Sequence, residues 1–269
     1  MQLAEPLAAS WTASLALGFE SRSGRTVLGT RRAEGPLAIQ KPLYPEGSEV
    51  CHAIVVHPPG GVAGGDELTL SVEAARASAA LITTPGAGKW YRSAGPWAKQ
   101  RLHFDVKGSL EWLPREAIVF DGALAELDCE IRLSSGARYI GWEIVCLGRT
   151  GSGERFTRGT LGLRASVFRG DRLAWLERGT IDGAGRILGS PAGLDGKTVF
   201  GTLIATLDST DLLPECRKLA ATTQLPGLLV ARYLGGSTEE AFAKFSALWK
   251  LLRPAVMQRE AVPPRIWST

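Results

Sequence analysis

Cysteine is scarce in this sequence: four residues out of 269, at separated positions and without a C-x-x-C pair. So few cysteines exclude a disulfide-stapled scaffold, and reduced, mostly buried thiols are expected instead. Long apolar runs are also missing, because none approaches the roughly 20 residues that cross a bilayer as a helix. Residues 1–14 have neither the basic stretch nor the continuous apolar core of a secretory signal peptide. A soluble, cytoplasmic protein with no membrane partner is predicted.

Charge of one sign is not concentrated in any segment. The net charge is +4, from 31 basic and 27 acidic residues, and no block of five or more lysines or arginines occurs. A mixed, mildly basic surface is typical of an ordinary solvated protein, so no nucleic-acid partner is expected. Hydrophobic residues make up 45% of the chain, which has no repeat, low-complexity tract or linker. This composition predicts one folded domain over residues 1–269.

The common catalytic motifs are absent. The segment TPGAGKW (84–90) is no phosphate loop, because Thr83 replaces its first glycine and Trp90 its final serine or threonine. Neither H-E-x-x-H nor G-x-S-x-G occurs, and only three histidines are present: His52, His57 and His103. No enzyme is expected. A β-rich hydrolase with His57 or His103 as general base is the alternative, since such sites assemble in space rather than in sequence.

Apolar residues alternate with polar ones at a period of two through much of the chain. The alternating runs are Leu68–Leu70–Val72, Leu102–Phe104–Val106, Leu127–Cys129–Ile131–Leu133 and Ile140–Trp142–Ile144–Cys146. Such alternation is typical of half-buried strands, and turn residues such as Lys107-Gly108 separate the runs. We therefore predict a mainly β fold, a single domain of many antiparallel strands in an irregular, layered architecture.

Two helices are predicted near the C-terminal end. Residues 210–221 form the first, with Pro214 in its opening turn. The second follows Ser237, which completes a capping box with Glu240, and it ends at Pro254. Its apolar face consists of Phe242, Phe245, Trp249 and Leu252. This face is expected to pack on the sheet, and a partner-binding surface is the alternative.

One compact group contains ligands that nickel or zinc accepts: Cys51, His52 and His57. Residues 50–56 have the pattern of an apolar strand, so Cys51 and His52 point to opposite faces of it. A buried cysteine and a hydrogen-bonded histidine are therefore favoured over a metal site.

A glycine- and proline-rich segment, residues 57–66, joins this strand to the next alternating one. Its prolines end the strand pairing because they donate no hydrogen bond, and its glycines permit positive φ and close backbone approach. From these residues alone, an irregular connection is favoured over a loop shaped to receive a partner or to line a passage.

The same segment carries a resemblance to a known family. HPPGGVAGGDELTL (57–70) strongly resembles the signature of the urease accessory proteins called UreD or UreH. Further blocks similar to this family are GPLAIQKPLYPE ending at Glu46, ITTPGAGKWYRS (82–93), LEWLPREAIVFD (110–121), LGRTGSGERFTRG (147–159) and PPRIWST (263–269). Trp90 and Arg115 depart from the commoner residues of these blocks. The chain is therefore identified as a member of this family.

The resemblance implies a mainly β fold with two helices, and a role in urease maturation rather than catalysis. It implies a complex with a helical UreF-type protein and a UreG-type GTPase, expected as a dimer of heterocomplexes, which docks on apo-urease and supports nickel delivery. It also implies an internal passage for the ion. Nickel is thus expected as transient cargo, with no cofactor bound permanently. A ligand-binding β module without a metal role is a further alternative.

A passage for a divalent cation requires oxygen ligands that bind weakly enough to release it. The acidic candidates for this transient nickel path are Asp66, Glu67, Glu143, Glu154 and Glu177. Thr83 and Thr84 would add hydroxyl groups along the path. The residues assigned to partner binding or to structure are His57, Pro58, Pro59, Gly60, Gly61, Gly64, Gly65, Thr83, Thr84, Lys89, Tyr91, Arg92 and Glu116.

Glu143 is the most informative acidic candidate, because it interrupts the apolar run 139–147. Its side chain lies on the face opposite to Ile140, so it either reaches solvent or lines the passage. A carboxylate at a half-buried strand position that does not reach solvent must be paired or hydrated.

Ordinary structural roles are the alternatives for the other candidates. Glu177 lies next to Arg178, which favours a surface ion pair. Asp66 is placed to cap a turn. Glu116 follows a strand break at Pro114 and is placed to satisfy backbone donors.

Overall fold

The structure is a computed structural model that describes residues 10–268, in which two β-sheets and a pair of helices form three layers. Residues 1–9 and Thr269 are outside this description. Three earlier predictions therefore reach beyond the described residues. They concern most of residues 1–14, where no signal peptide is predicted, both ends of the predicted domain 1–269, and the last residue of the 263–269 block.

Seventeen strands and two α-helices make up the described chain. In chain order the strands are β1 (Thr12–Arg22), β2 (Arg25–Glu34), β3 (Ala38–Ile39), β4 (Val50–Val56), β5 (Glu67–Ala74), β6 (Ala79–Thr83), β7 (Gly88–Trp90), β8 (Ala98–Val106), β9 (Ser109–Leu113), β10 (Ala117–Val119), β11 (Leu124–Leu133), β12 (Arg138–Leu147), β13 (Thr160–Arg169), β14 (Arg172–Asp182), β15 (Val199–Thr206), β16 (Ala221–Leu225) and β17 (Leu228–Gly235). The helices are α1 (Leu213–Leu219) and α2 (Thr238–Met257). Short 3₁₀ turns lie at Thr150–Ser152, Arg186–Leu188 and Arg265–Ser268.

The strands form two sheets. A seven-stranded sheet has the order β14-β13-β11-β8-β5-β1-β2. A ten-stranded sheet has the order β16-β17-β15-β12-β9-β6-β4-β3, with β10 pairing beside β12 and β7 pairing beside β10. Between β4 and β13 the chain repeatedly crosses from one sheet to the other and back. Successive strands of each sheet therefore run parallel there, and antiparallel pairs such as β1–β2, β13–β14 and β12–β15 lie toward the ends.

The mainly β class and the two late helices are confirmed, but antiparallel pairing is wrong for the middle of the sandwich. The turn at Lys107-Gly108 shows the reason, because it joins β8 to β9 in the other sheet instead of closing a hairpin. Gly108 is required at this crossing, since a Cβ atom would lie 2.3 Å from the Ala75 carbonyl oxygen. Turn residues mark a change of direction and leave the next pairing partner undetermined.

Two hydrophobic cores fill the spaces between the three layers. The first lies between the sheets, where the register aligns Leu15, Leu70, Leu102 and Cys129 across four neighbouring parallel strands. The second lies between the ten-stranded sheet and the helices. The period-two alternation predicted the inward positions of Leu70, Leu102 and Cys129 correctly.

β12 lies in the middle layer and is covered on both faces. Ile140, Trp142 and Ile144 pack toward the helices, whereas Tyr139 and Val145 pack between the sheets. The face that carries Glu143 is therefore the inner face of the sandwich and not a solvent-facing one.

The helices follow the predicted signals, with one exception. α1 lies inside residues 210–221 with a proline in its first turn, and Ser237 Oγ accepts a hydrogen bond from the Glu240 backbone N–H at 3.1 Å to cap α2. The predicted end at Pro254 is wrong, because α2 continues to Met257. A proline removes one backbone donor, and burial of the following turn, with Val256 and Met257 each 4% exposed, keeps that turn helical.

The aromatic face of α2 packs on the sheet, as expected. Phe245, Trp249 and Leu252 are fully buried against β12 and its neighbours, and Phe242 packs against the same core. All four cysteines are free and buried, which confirms that prediction. No helix among residues 10–268 combines the length and the apolarity that crossing a membrane requires.

Candidate functional site

Two cavities lie end to end inside the sandwich. One, which we call the sheet cavity, has a volume of about 90 Å³ and lies between β11, β12 and β15, with Glu177 at one end. The other, which we call the loop cavity, has a volume of about 370 Å³ and reaches the glycine-rich segment at His57 and Gly60. Four residues line both cavities: Gln100, Leu102, Trp112 and Glu143. The interior is therefore hollow on both sides of Glu143.

Glu143 is the carboxylate at this junction. The Trp112 indole Nε1–H donates a hydrogen bond of 2.6 Å to Glu143 Oε1. The carboxylate is surrounded by protein, and Glu143 lines both cavities. Burial raises the pKa of Glu143 to about 7, although the Trp112 hydrogen bond acts in the opposite direction. Glu143 thus changes its charge near neutral pH at the junction of the two cavities.

Cys129 and Tyr139 line the sheet cavity near Glu143. Both are buried, and burial raises the pKa of each, with the negative charge of Glu143 acting in the same direction. The thiol and the phenol therefore remain protonated at neutral pH. Glu143 is left as the group in this neighbourhood that ionises in the physiological range.

Glu177 stands where the sheet cavity meets the surface. It forms an ion pair with Arg232 of β17, and the Thr202 hydroxyl donates a hydrogen bond of 3.2 Å to Glu177 Oε2. The expected surface ion pair is present, but its partner is Arg232 across the sheets and not the neighbouring Arg178. This pair links the edge strand of one sheet to the other sheet at the cavity mouth.

The loop cavity opens between the glycine-rich segment and the segment before β7. Gly60, Pro85, Gly86 and Lys89 line it and are exposed, so this end reaches the surface. Thr84 also lines the cavity, and its hydroxyl accepts a hydrogen bond of 2.9 Å from the Arg115 backbone N–H.

Two polar groups in the loop cavity have no hydrogen-bond partner among residues 10–268. They are Nε2 of His57 and Oε2 of Glu116, and both atoms are buried. Burial lowers the pKa of His57, although the charge of Asp66 acts in the opposite direction. The expectation that Glu116 satisfies backbone donors is not met at Oε2. A buried polar atom without a partner calls for an explanation from water or a bound ion.

Three of the acidic candidates lie outside both cavities. Asp66 accepts hydrogen bonds of 2.8 Å from the backbone N–H groups of Trp11 and Ala63. It therefore caps the turn, which is the structural alternative that the sequence indicated for it. Glu67 pairs with Lys99 and Arg101 at the surface.

Glu154 also has a local role. It forms an ion pair of 2.6 Å with Arg149 and accepts a hydrogen bond of 3.1 Å from the Asp121 backbone N–H. The hydrogen bond from Arg149 lowers the pKa of Glu154, which stays ionised and bound to its own loop. Of the five acidic candidates, the structure brings Glu143 and Glu177 to one cavity.

Thr83 likewise has structural contacts away from the two cavities. Its hydroxyl donates to the Leu113 carbonyl oxygen at 2.5 Å and accepts from the Trp267 indole at 3.0 Å. Thr83 therefore attaches the C-terminal segment to the sheet, while Thr84 alone of the threonine pair faces the loop cavity.

The glycine-rich signature shapes the wall between the loop cavity and the surface. Gly61 permits contact with Tyr91, since a Cβ atom there would lie 2.3 Å from its ring, and Gly64 packs closely on Ser93. Tyr91 in turn meets the Phe120 ring edge-on at 5.1 Å, and Arg92 Nε donates to the Asp121 carbonyl oxygen at 3.5 Å. The remaining signature residues of this wall are Pro58, Pro59, Gly60 with a φ of +75° and Gly65 with a φ of +97°.

The group Cys51, His52 and His57 does not come together. Cys51 is buried in the core between the sheets, and His52 Nε2 lies 2.5 Å from Glu46 Oε1. A buried cysteine and a hydrogen-bonded histidine are thus confirmed. Within residues 10–268, no cluster of three or more histidine, cysteine or acidic residues is arranged to hold a metal ion.

Sequence reasoning missed several residues of the cavities. Gln100 lines both of them, and it occupies the inward position of the run Gln100–Leu102–Phe104–Val106. Gln100 is a polar residue at the same alternating positions as three inward apolar residues, and this pattern indicates a polar group inside the sandwich. Arg232 and Thr202 offered no such signal, because their roles depend on how two distant strands meet.

Fold and site together define a mainly β protein with an acidic cavity system between its sheets. The family described as UreD urease accessory protein matches residues 12–268. Relatives named urease accessory protein UreD include one from Dechloromonas aromatica (strain RCB), 50% identical over 97% of this chain and 95% of its own length. Others come from Azoarcus sp. (strain BH72), 49% identical over 96% and 94%, and Pseudomonas aeruginosa, 50% identical over 97% and 96%. The chain belongs to the UreD family of urease accessory proteins, which are maturation factors rather than enzymes.

Proposed function

We propose that this chain helps to load nickel into apo-urease by giving the ion a passage through the sheet cavity and the loop cavity. The observation that carries the proposal is the position of Glu143 at the junction of the two cavities. Glu177 at one mouth and Glu116 at the other provide carboxylates at both ends of the same route. Nickel is cargo here and is held only in transit.

The ligand chemistry along the route suits an ion that must leave again. Isolated carboxylates separated by apolar and neutral polar walls bind a divalent cation more weakly than a closed cage of several ligands. At Glu143 the carboxyl releases its proton when the cation binds the carboxylate. Because the pKa of Glu143 is about 7, this exchange costs little near neutral pH.

The route needs partners at its two ends. We propose that a UreF-type protein and a UreG-type GTPase bind this chain and that apo-urease docks on the resulting complex, as the family resemblance implies. The complex would act in the cytoplasm as a dimer of heterocomplexes. Both cavities reach the surface, so an ion can be received at one docking site and released at another.

Complementation tests this function. A host that lacks only its UreD-type gene, and that carries the remaining urease operon from the same source as this chain, is supplied with nickel and with the wild-type chain. Restored urease activity, together with co-purification of the UreF-type and UreG-type proteins, is the expected result. Inactive apo-urease despite soluble, co-expressed chain would contradict the proposal.

A further inference from the structure

One side of the loop cavity is formed by residues 114–116, whose backbone is held by two hydrogen bonds. The Trp142 indole Nε1–H donates a hydrogen bond of 2.8 Å to the Pro114 carbonyl oxygen. The Arg115 backbone N–H donates to the Thr84 hydroxyl at 2.9 Å. The backbone at this place is therefore fixed independently of how the Arg115 side chain packs.

The Arg115 guanidinium lies between an aromatic ring and a carboxylate. Its Cζ lies 4.1 Å from the centroid of the Phe242 ring of α2. Its Nε lies 3.5 Å from Glu116 Oε2, which is an ion-pair distance, but Glu116 Oε2 has no hydrogen-bond partner among residues 10–268. An arginine paired with a carboxylate commonly forms two short, parallel hydrogen bonds. Here the guanidinium stacks on the ring and does not form that pair.

The Phe242 ring is itself held by Trp267, which belongs to the 3₁₀ turn Arg265–Ser268. The two rings meet edge-on with centroids 5.0 Å apart, and Trp142 meets Phe242 edge-on at 5.9 Å. The Trp267 indole donates a hydrogen bond of 3.0 Å to the Thr83 hydroxyl at the end of β6. Edge-to-face contacts have a preferred geometry, so they orient the ring as well as burying it. The ring beneath Arg115 is thus anchored to both the helix and the sheet.

This arrangement leaves the charge of Glu116 only partly compensated. The residue is 8% exposed and lines the loop cavity. Paired hydrogen bonds from Arg115 would neutralise its carboxylate, whereas a guanidinium held at 3.5 Å without a hydrogen bond does so incompletely. In a cleft enclosed by protein, an uncompensated negative charge raises the local concentration of cations.

We propose that Phe242 and Trp267 are positioning residues for the passage, which hold the Arg115 guanidinium away from Glu116 and so keep the loop-cavity mouth negative. The inference rests on the proposed function and adds to it the side chains that regulate the charge of one mouth. Neither ring touches the ion, since both act through Arg115. Rotation of the guanidinium from the ring onto Glu116 neutralises the mouth and slows the entry of cations.

Nuclear magnetic resonance of the full chain labelled with ¹⁵N-arginine tests the position of the guanidinium. The Arg115 Nε–Hε signal is assigned with Arg115→Gln. In Phe242→Leu this signal should move downfield, because the proton leaves the ring face and binds the carboxylate. The shift should be smaller in Phe242→Leu/Glu116→Gln, which loses the ring but has no charged acceptor. An unchanged Arg253 signal shows that the variants are folded, because its guanidinium is buried in ion pairs.

Trp267→Ala tests the support of the ring. It leaves Phe242 in place without its edge-on neighbour, so the Arg115 signal should move in the same direction as in Phe242→Leu. Trp267→Phe keeps an aromatic ring beside Phe242 and should restore most of the wild-type position. An Arg115 signal that does not move in Trp267→Ala would remove Trp267 from the proposal.

The nickel requirement of urease activation tests the consequence for the passage. In the complementation host, Phe242→Leu should raise the nickel concentration for half-maximal urease activity about tenfold, at the low end of what a charged cleft contributes. Phe242→Leu/Arg115→Gln should return it to the wild-type value or below, because no guanidinium is left to pair with Glu116. Phe168→Leu is the matched control, since Arg132 lies over that ring at 4.7 Å in the seven-stranded sheet, and it should need no additional nickel.

Three results would overturn the positioning role. They are an unchanged nickel requirement in Phe242→Leu, a double variant with Arg115→Gln that stays as impaired as Phe242→Leu, and a downfield shift that is equally large with Glu116→Gln. If the wild-type chain restores urease in the same series, any of these removes the positioning role only. Unrestored urease contradicts the passage itself, and the arginine signals then decide alone whether the ring holds Arg115 away from Glu116.

Discussion

Glu143 illustrates how one residue can be costly for the fold and still serve the proposed passage. Its carboxyl is enclosed, has one hydrogen bond from Trp112, and has a pKa raised to about 7 by burial. An apolar residue at the same position would fill the core, as Val145 does two residues later. A carboxyl that ionises near neutral pH is therefore a feature that packing alone does not explain.

The first residue-scale prediction concerns stability and pH. Because the folded pKa of Glu143 lies above its ordinary value of 4.5, the folded state holds this proton more tightly than the unfolded state. Stability from this group is present below about pH 4.5 and is lost as pH rises through about 7. The span between the two pKa values corresponds to about 3 kcal/mol.

Glu143→Gln should remove this loss while keeping an acceptor for Trp112. In urea unfolding, the variant should gain stability relative to the wild type between pH 5 and pH 8, by about 2–3 kcal/mol. Glu126→Gln, on the outer face of β11, is the control and should show no such gain. An equal difference between Glu143→Gln and wild type at both pH values would mean that Glu143 is not held protonated by the fold.

A second residue-scale prediction concerns the ion pair at the mouth of the sheet cavity. Arg232→Ala should change the free energy of unfolding by less than about 1 kcal/mol, because the pair is partly exposed. It also leaves Glu177 without its counter-charge at the cavity mouth. In the complementation host, the nickel concentration that gives half-maximal urease activity should therefore fall. Arg178→Ala is the control, and an unchanged or higher nickel requirement for Arg232→Ala would place this pair off the route.

Single residues differ in how far the sequence reveals them. Glu143 was identifiable, since a carboxylate in an apolar alternating run is rare, but its direction depended on a third layer that covers β12. Asp66 and Glu154 are carboxylates as well, and the sequence does not distinguish them from Glu143. Their hydrogen bonds to loop backbone, which give them a structural role, become visible only in the folded loops. The unpartnered atoms of His57 and Glu116 arise from strand register, which composition does not encode.

At the scale of elements, α2 is attached to the sheet by a buried ionic cluster. Arg253 is 0% exposed and binds Glu111 of β9 at 2.9 Å and Glu46 at 2.7 Å. The Trp249 indole donates to the same Glu111 at 2.6 Å, and His52 contacts Glu46. One guanidinium thus compensates two carboxylates inside the protein, which makes the cluster sensitive to its removal.

Arg253→Ala is expected to destabilise the protein by about 3–5 kcal/mol, because it removes the guanidinium that compensates the buried carboxylates of Glu46 and Glu111. Urea unfolding at neutral pH, followed by tryptophan fluorescence, measures the loss. Lys250→Ala, which alters an exposed position one turn earlier in α2, is the control and should cost under about 0.5 kcal/mol. A cost below about 1 kcal/mol for Arg253→Ala would show that the cluster contributes little to holding α2.

The elements themselves were largely predictable, and their pairing was not. Period-two alternation placed the inward residues of β5, β8 and β11 correctly, but on β12 it identified one of two buried faces, the one that packs on the helices. Alternation reports which face is buried, and it is the same for parallel and antiparallel strands. The crossing of the chain between two sheets is set by the packing of whole layers, so the turn residues between the alternating runs do not reveal it.

At the scale of the whole molecule, the three layers have different structural roles. The helices bury the outer face of the ten-stranded sheet, which leaves its inner face free to combine with the second sheet around a hollow interior. Parallel strands that alternate between the sheets bring the segments after β4, β6 and β9 to one edge, where the loop cavity opens. The fold thus places one mouth at the glycine-rich signature and the other at the edge strand β14.

The central claim is that nickel for urease passes Glu143. The most direct measurement is the nickel content and activity of urease purified from the complementation host with wild-type chain, Glu143→Gln or the control Glu126→Gln. Co-purification of the accessory proteins shows that the complexes still form. The account predicts that Glu143→Gln lowers nickel per urease and activity about tenfold, equivalent to about 1.4 kcal/mol, with complexes intact and Glu126→Gln at the wild-type level. Full nickel loading with Glu143→Gln would contradict it.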